Sequence, residues 1–168
     1  MDLSRTFETE LITLLPRLRR FAHGLCRDAA DADDLTQMCV ERALRSRDQW
    51  QPGTRLDSWA YRILRNLWID TARSRSRKRK FEAPPEEAEN VGQDPRAQIE
   101  ASLELQRAMA AMECLPDEQR EVIALILIEG FGYREVSEML DLPLGTVSSR
   151  LVRGRTALLE RLGAGKHD

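Results

Sequence analysis

Apolar residues recur three and four positions apart along most of this chain, the spacing that one face of an α-helix produces. They predict helices over residues 4–26, 33–47, 57–77, 95–113 and 117–129, followed by a helical pair within 133–158. Pro16 lies inside the first helix, which is therefore expected to be kinked or divided in two. Asp31 or Asp33 is expected to cap the second helix. No segment shows the alternation of a β-strand, so the sequence predicts an all-α protein.

Residues 82–95 have no helical pattern and combine prolines and a glycine with acidic residues. Such a segment forms no core, so it is interpreted as a flexible linker. Two small helical bundle domains are expected on either side, at residues 1–81 and 96–168. Gly130 and Gly132 are expected to end the helix before 130, and residues 163–168 to be a frayed tail.

Residues 133–158 predict a helix-turn-helix. Val136, Met139 and Leu140 form one apolar set, a break follows at residues 141–143, and a second apolar set begins at Val147 and continues through Leu151. The opposite face of the second helix is basic and rich in hydroxyls, and its residues are Thr146, Ser148, Ser149, Arg150, Arg153 and Arg155. This pattern is what a recognition helix needs to lie in a DNA major groove.

The helix predicted at 57–77 has a different character, since it mixes aromatic and basic residues. Trp59 and Trp68 have apolar partners at helical spacing and are expected in the core, whereas Tyr61 has charged neighbours and is less readily assigned to it. The residue pattern alone favours a solvent-exposed or capping amide at Asn66. Six cations in residues 73–80 then favour contact with phosphates.

Charge is distributed in blocks, although the chain as a whole has a formal charge of -2. Residues 1–80 carry 17 Lys and Arg against 11 Asp and Glu, residues 81–106 carry one Arg against seven acids, and residues 107–168 carry 8 against 10. The first block is therefore expected to have an anionic partner.

Several classes of function are disfavoured. Three widely spaced cysteines, with no early apolar run, indicate a reduced, cytoplasmic protein without a signal peptide. His23 and Cys26 are expected to be structural rather than metal ligands, and the acids at 33 and 34 to serve as a helix cap rather than a catalytic pair. With no phosphate loop or nucleophile motif either, no enzyme activity, metal or cofactor is expected.

Taken together, these segments resemble the bacterial sigma factors of the extracytoplasmic-function (ECF) class over nearly the whole chain. Residues 31–37 (DADDLTQ) resemble the acidic segment of their region two, residues 58–66 (SWAYRILRN) its aromatic-basic helix, and residues 144–150 (LGTVSSR) the recognition helix of region four. Two positions depart from the family pattern: Ser148 stands where a basic residue is common, and Met38 where an acid is frequent.

The resemblance implies roles for three sets of residues. Asp33, Asp34 and Gln37 would bind core RNA polymerase, and the recognition helix, with Thr146, Ser148, Ser149, Arg150, Arg153 and Arg155, would read the minus-35 element. The residues facing the minus-10 element and its non-template strand would be Trp59, Tyr61, Arg62, Arg65, Asn66 and Arg73. An anti-sigma factor is a further expected partner.

Two other functions are alternatives to a promoter-specificity subunit. A stand-alone helix-turn-helix regulator would carry a ligand-binding or receiver-like domain in its N-terminal half, where this chain has the acidic and aromatic-basic helices instead. A helical adaptor without a DNA role would lose no DNA binding when Arg73 or Arg153 is removed.

Overall fold

The computed structural model describes the backbone of residues 3–79 and 97–164, and the side chains of residues 6–74 and 103–163. Within these residues every regular element is helical, so the predicted all-α fold is confirmed. The helices are α1 (Leu3–Leu25), α2 (Ala29–Arg45), α3 (Leu56–Arg79), α4 (Ala97–Glu113), α5 (Asp117–Ile123), α6 (Tyr133–Leu140) and α7 (Leu144–Ala164). A 3₁₀ turn at Arg47–Gln49 precedes α3, and a π-helical turn at Ala124–Ile128 continues α5. The predicted linker at 82–95 lies outside the described residues.

The first two helices differ from their predicted limits. α1 is one continuous helix despite Pro16. Proline has no N–H to donate to the carbonyl one turn earlier, but Pro16 is exposed, so water can bond to that carbonyl instead. α2 begins earlier than expected, because Asp28 is its cap: its Oδ1 accepts a hydrogen bond from the Ala30 N–H at 2.6 Å. The prediction that Asp31 or Asp33 caps this helix is therefore wrong. Several aspartates in this segment are capable caps, and the position at which α1 ends determines that Asp28 is the one used.

α1, α2 and α3 form an N-terminal module around a shared apolar core. Leu18, Phe21 and Leu64 have no exposed surface in it, and the Cys39 thiol is buried beside them. Burial raises the pKa of this thiol to about 12.

α4 to α7 form a C-terminal module in which α7 packs closely on α5. Val122, Val136 and Val147 are fully buried, and α7 approaches α5 at Gly154. A Cβ built on Gly154 would lie 3.0 Å from Cγ1 of Ile123, so a glycine is what permits this approach.

The two modules pack against each other and share one continuous hydrophobic core. Phe131, in the loop before α6, lies with its ring edge-on to Tyr61 of α3 at 5.1 Å between centroids. The buried guanidinium of Arg120 on α5 donates to the carbonyl of Leu25 at the end of α1, at 2.9 Å. None of the helices in the described part of the chain is long and apolar enough to cross a membrane.

Candidate nucleic-acid interface

The turn between α6 and α7 orients α7 so that one face packs in the core and the other is exposed, as in the second helix of a helix-turn-helix. Asp141 ends α6 in the left-handed conformation, with φ of 51°, and the hydroxyl of Ser137 donates to the carbonyl of Leu142. Val147 and Leu151 then anchor the inner face of α7 in the core. The predicted break at residues 141–143 is confirmed.

The outer face of α7 carries the hydroxyl and basic residues that the sequence singled out. Ser148, Ser149, Arg153 and Arg155 are exposed, and Thr146 is half-buried near the start of the helix. The Arg153 Nε donates to the carbonyl of Ser149 one turn earlier, at 3.3 Å, which directs the guanidinium along the helix surface. These side chains can reach phosphates and base edges without any movement of the core.

Arg150 differs from the other residues of this set. Its side chain is 18% exposed and forms ion pairs with Glu118 at 3.1 Å and Glu121 at 3.6 Å, both on α5. Its guanidinium therefore holds α7 against α5 in this structure.

α3 presents its predicted DNA residues in two groups. Asn66, Arg62 and Arg73 are exposed, although Arg62 also donates to the carbonyl of Glu138 on α6 at 3.3 Å. Trp59 is half-buried, and its ring meets Phe7 edge-on at 6.1 Å between centroids.

Trp68 is buried, so its predicted place in the core is confirmed, whereas Trp59 only packs against the edge of the core. The interpretation that Tyr61 is hard to assign to the core is wrong, because its side chain is 1% exposed. Phe21 of α1 and Phe131 of the C-terminal module cover its ring from two sides. The charged neighbours of Tyr61 in sequence gave no sign of this, since the residue that completes the enclosure belongs to the other module.

The hydroxyl of Tyr61 donates to Glu129, whose side chain has no solvent exposure. Arg20 donates to the same carboxylate from Nε at 2.8 Å and from Nη2 at 3.0 Å, and Arg17 from Nε at 3.4 Å. We call Arg17, Arg20, Tyr61 and Glu129 the Glu129 cluster. Burial, followed by the hydrogen bond to Glu129, raises the pKa of Tyr61, so the phenol is protonated and acts as a donor.

A second carboxylate, Glu121, lies between α3 and α7. Its oxygens accept hydrogen bonds from Arg65 at 2.8 and 3.4 Å, and one of them is 3.6 Å from Arg150. The three residues line an open cleft of about 410 Å³ together with Arg73. One buried acid thus contacts a residue predicted for the minus-10 element and another predicted for the minus-35 element.

A further acid, Asp57, accepts hydrogen bonds at the start of α3. Burial alone would raise the pKa of Asp57, but hydrogen bonds from Arg55 and the Ser58 N–H, with the charges of Arg55 and Arg17, outweigh it and lower that pKa. Arg55 also pairs with Glu135 of α6.

The acidic face of α2 is exposed, as its predicted role requires. Asp33, Asp34 and Gln37 all face solvent. Asp33 accepts hydrogen bonds from Arg19 at 2.7 and 3.2 Å, and His23 Nε2 lies 3.2 Å from its Oδ1. The hydrogen bond from Arg19 lowers the pKa of Asp33, which keeps the carboxylate charged. No three His, Cys, Asp or Glu side chains are grouped as a metal site within the described residues.

Three residues that dominate the interior polar contacts were not singled out from the sequence. Glu121 and Glu129 flank the apolar run 122–128, and Arg120 precedes it. Charges bordering the most apolar segment of a chain are a usable signal for buried ion pairs, because such groups are buried only with partners.

Comparison with known protein families separates the possible functions. Residues 11–78 match the family model "Sigma-70 region 2", and residues 105–158 match "Sigma-70, region 4". The chain is 35% identical over 158 residues to the ECF RNA polymerase sigma factor EcfG of Rhodopseudomonas palustris, covering 94% of this chain and 86% of that one.

This chain belongs to the ECF sigma factors. It is thus a promoter-specificity subunit of RNA polymerase, which recognises promoters without being an enzyme. The predicted family is confirmed, and the stand-alone regulator is not favoured because the N-terminal half matches region two.

Other relatives and solved structures agree with this assignment. SigE of Mycolicibacterium smegmatis is 41% identical in an alignment of 154 residues that covers 87% of this chain and 57% of SigE. The sigma factor RpoE in complex with the anti-sigma factor NepR, from Bartonella quintana, has a TM-score of 0.81 at 31% identity, over 95% of this chain and 98% of RpoE. CnrH in complex with the cytosolic domain of CnrY has a TM-score of 0.71 at 27% identity, over 95% and 89% of the two chains.

Proposed function

We propose that this sigma factor reads the minus-35 element with α7, engages the minus-10 element with α3 and binds core polymerase through α2. Residues 1–81 would form the region-two domain, 82–95 the linker and 96–168 the region-four domain. The observation that carries the proposal is the exposed hydroxyl and basic face of α7, held on a helix whose other face is buried at Val147 and Leu151.

On α7 we assign the minus-35 contacts to Thr146, Ser148, Ser149, Arg153 and Arg155. Exposed hydroxyls and guanidinium groups on one helix face can combine phosphate contacts with base-edge hydrogen bonds. Arg150 would contribute mainly by fixing α7 on α5, because Glu118 and Glu121 already occupy its guanidinium.

On α3 the minus-10 contacts would come from the residues that the family resemblance implies. Asn66 would hold an unstacked base of the non-template strand, and Arg62, Arg65 and Arg73 would hold its phosphates. The set is completed by the aromatic residues Trp59 and Tyr61, whose faces suit base stacking once they are accessible.

The α2 surface of Asp33, Asp34 and Gln37 would bind core polymerase. These three side chains are exposed on one helix, and Arg19 keeps Asp33 ionised. Partners rich in Lys or Arg would complement such a surface.

An anti-sigma factor is proposed as a further partner, because the similar sigma factor RpoE was solved in complex with the anti-sigma factor NepR. We also propose that the protein works in the cytoplasm, where polymerase and chromosomal DNA are found.

Run-off transcription with purified core polymerase on genomic fragments tests the proposal. Core polymerase with this protein is expected to start at promoters that core alone does not use. Arg153→Ala should then weaken protection of the upstream element by about tenfold, from the loss of one base or phosphate contact. Arg161→Ala, an exposed arginine nearer the C-terminal end of α7, is the matched control and should leave that footprint unchanged.

The α3 assignment has its own test in the rate of open-complex formation. Asn66→Ala should slow this step, while Asp70→Ala, one turn further along the exposed side of α3, should not. Equal rates for Asn66→Ala and wild type would remove Asn66 from base capture.

A further inference from the structure

We propose that Glu129 is the centre of an intrachain latch that closes the two modules on each other and excludes single-stranded DNA from Tyr61 and Arg65 of α3. The inference rests on the proposed assignment of the minus-10 element to α3. It adds a competition within the chain. Carboxylates of the C-terminal module bind side chains of α3 that would otherwise bind a nucleic acid.

The first support is the composition of the Glu129 cluster. Glu129 belongs to the C-terminal module, whereas Arg17, Arg20 and Tyr61, which donate to its side chain, belong to the N-terminal module. A carboxylate with no solvent exposure is stable only while such donors surround it. Burial of Glu129 therefore depends on the two modules being in contact.

The second support is that three further contacts across the boundary have the same polarity. Arg65 of α3 binds Glu121, Arg55 pairs with Glu135, and Arg62 donates to a backbone carbonyl of α6. In these three contacts the N-terminal module supplies the guanidinium groups, and the C-terminal module supplies carboxylates and a carbonyl; the buried Arg120 donates in the opposite direction, to Leu25. These polar contacts can exchange for water and phosphate when the modules separate, whereas opening the apolar part of the boundary exposes rings such as Phe131 and Tyr61.

The third support is that the latch and a DNA strand would use the same atoms. The guanidinium of Arg65 cannot make its two hydrogen bonds to Glu121 and also bind a phosphate. Tyr61 is 1% exposed and cannot stack on a base while Phe131 covers its ring. Closure and the use of Tyr61 or Arg65 by a strand are therefore mutually exclusive, and a strand that engages these two residues must first open the latch.

Single-molecule energy transfer in the full-length protein measures the closure directly. Dyes on Glu41→Cys of α2 and Glu160→Cys of α7 report the separation of the modules, in a background with Cys26→Ser and Cys114→Ser; Cys39 is buried. The wild type should show one compact population. Glu129→Gln should raise the extended fraction by about tenfold or more, since it removes the charge that two arginines share.

Arg20→Gln provides a second variant with little risk to folding, because the Arg20 side chain is half exposed and binds Glu129. It should also favour the extended population. Arg19→Gln is the matched control. It changes the neighbouring residue of α1, which binds Asp33 within the same module, and it should leave the dye separation unchanged.

Binding of a fluorescent oligothymidylate, without polymerase, tests the competition. The affinity of Glu129→Gln and Arg20→Gln should rise by the same factor as their extended fraction. By linkage, the oligonucleotide should also drive the wild type into the extended population.

Unchanged distances in both variants would overturn the latch. Extended variants that bind the oligonucleotide no more tightly than wild type would overturn the competition. Neither measurement involves promoter-dependent transcription, so a failure of the latch is distinguishable from a failure of the proposed function in the run-off assay.

Discussion

The replacement Arg120→Met should destabilise this protein more than most single substitutions do. Arg120 is 3% exposed, and its guanidinium donates to four backbone carbonyls at 2.8–2.9 Å. The acceptors lie at the ends of α1 and α4 and in the turn after α4, and they are Leu25, Met112, Glu113 and Leu115. Desolvation lowers the pKa of Arg120, but the nearby carboxylate of Asp117 and these acceptors keep it a cation.

The expected loss of unfolding free energy follows from these contacts. Each hydrogen bond from a charged donor contributes about 1.5–3 kcal/mol, and burying the guanidinium costs several kcal/mol in the other direction. Methionine restores the apolar contacts of the side-chain stem but leaves four carbonyls without this donor. A net loss of about 3–5 kcal/mol results, the range found when one partner of a buried polar set is removed.

Urea unfolding followed by far-UV circular dichroism measures the loss. Arg107→Met, at an exposed position of α4, is the control and should change the free energy of unfolding by less than about 0.5 kcal/mol. Arg120→Lys should lose an intermediate amount, because an ammonium group has three donors and cannot span four carbonyls. A loss below about 1 kcal/mol for Arg120→Met would refute this reasoning.

Three other properties can be tested in the same preparations. Gly154→Ala should lose about 1 kcal/mol of unfolding free energy, since its Cβ would lie 3.0 Å from α5, whereas Gly163→Ala, with open space around it, should lose none; equal values would contradict the close approach. Because the pKa of Asp57 is lowered, its stabilisation is complete above about pH 4 and is lost as the pH falls through the folded-state pKa, so Asp57→Asn should make unfolding less acid-dependent. Urea titrations from neutral pH downward would show no such difference if Asp57 were unpaired. Ellman's reagent should modify the exposed Cys114 in the native protein but Cys39 only after unfolding, because Cys39 is buried and has a pKa of about 12; rapid reaction of Cys39 would contradict its burial.

The charge distribution acquires a second meaning in the structure. The basic block at residues 1–80 was expected to have an anionic partner, and promoter DNA suits that expectation. The structure adds an intrachain partner, since Arg17, Arg20 and Arg65 contact carboxylates of the C-terminal module. Composition cannot distinguish the two, because a carboxylate and a phosphate attract a guanidinium group by the same physics.

The sequence by itself determined the helices, the helix-turn-helix and the outer face of α7. Those features depend on residues three or four positions apart, so periodicity and turn chemistry are sufficient to find them. It did not locate the start of α2, because Asp28, Asp31 and Asp33 are all capable caps and only the packing of α1 selects one.

The tertiary structure alone decided which polar groups are buried and which residues they pair with. Tyr61 meets Glu129 across 68 positions of sequence, and Arg120 meets the carbonyl of Leu25 across 95. No local pattern encodes such pairs, since they arise only when one module is laid against the other. For that reason the sequence predicted a promoter-binding helix in α3, and only the fold revealed that the C-terminal module covers Tyr61 and binds Arg65 of that helix.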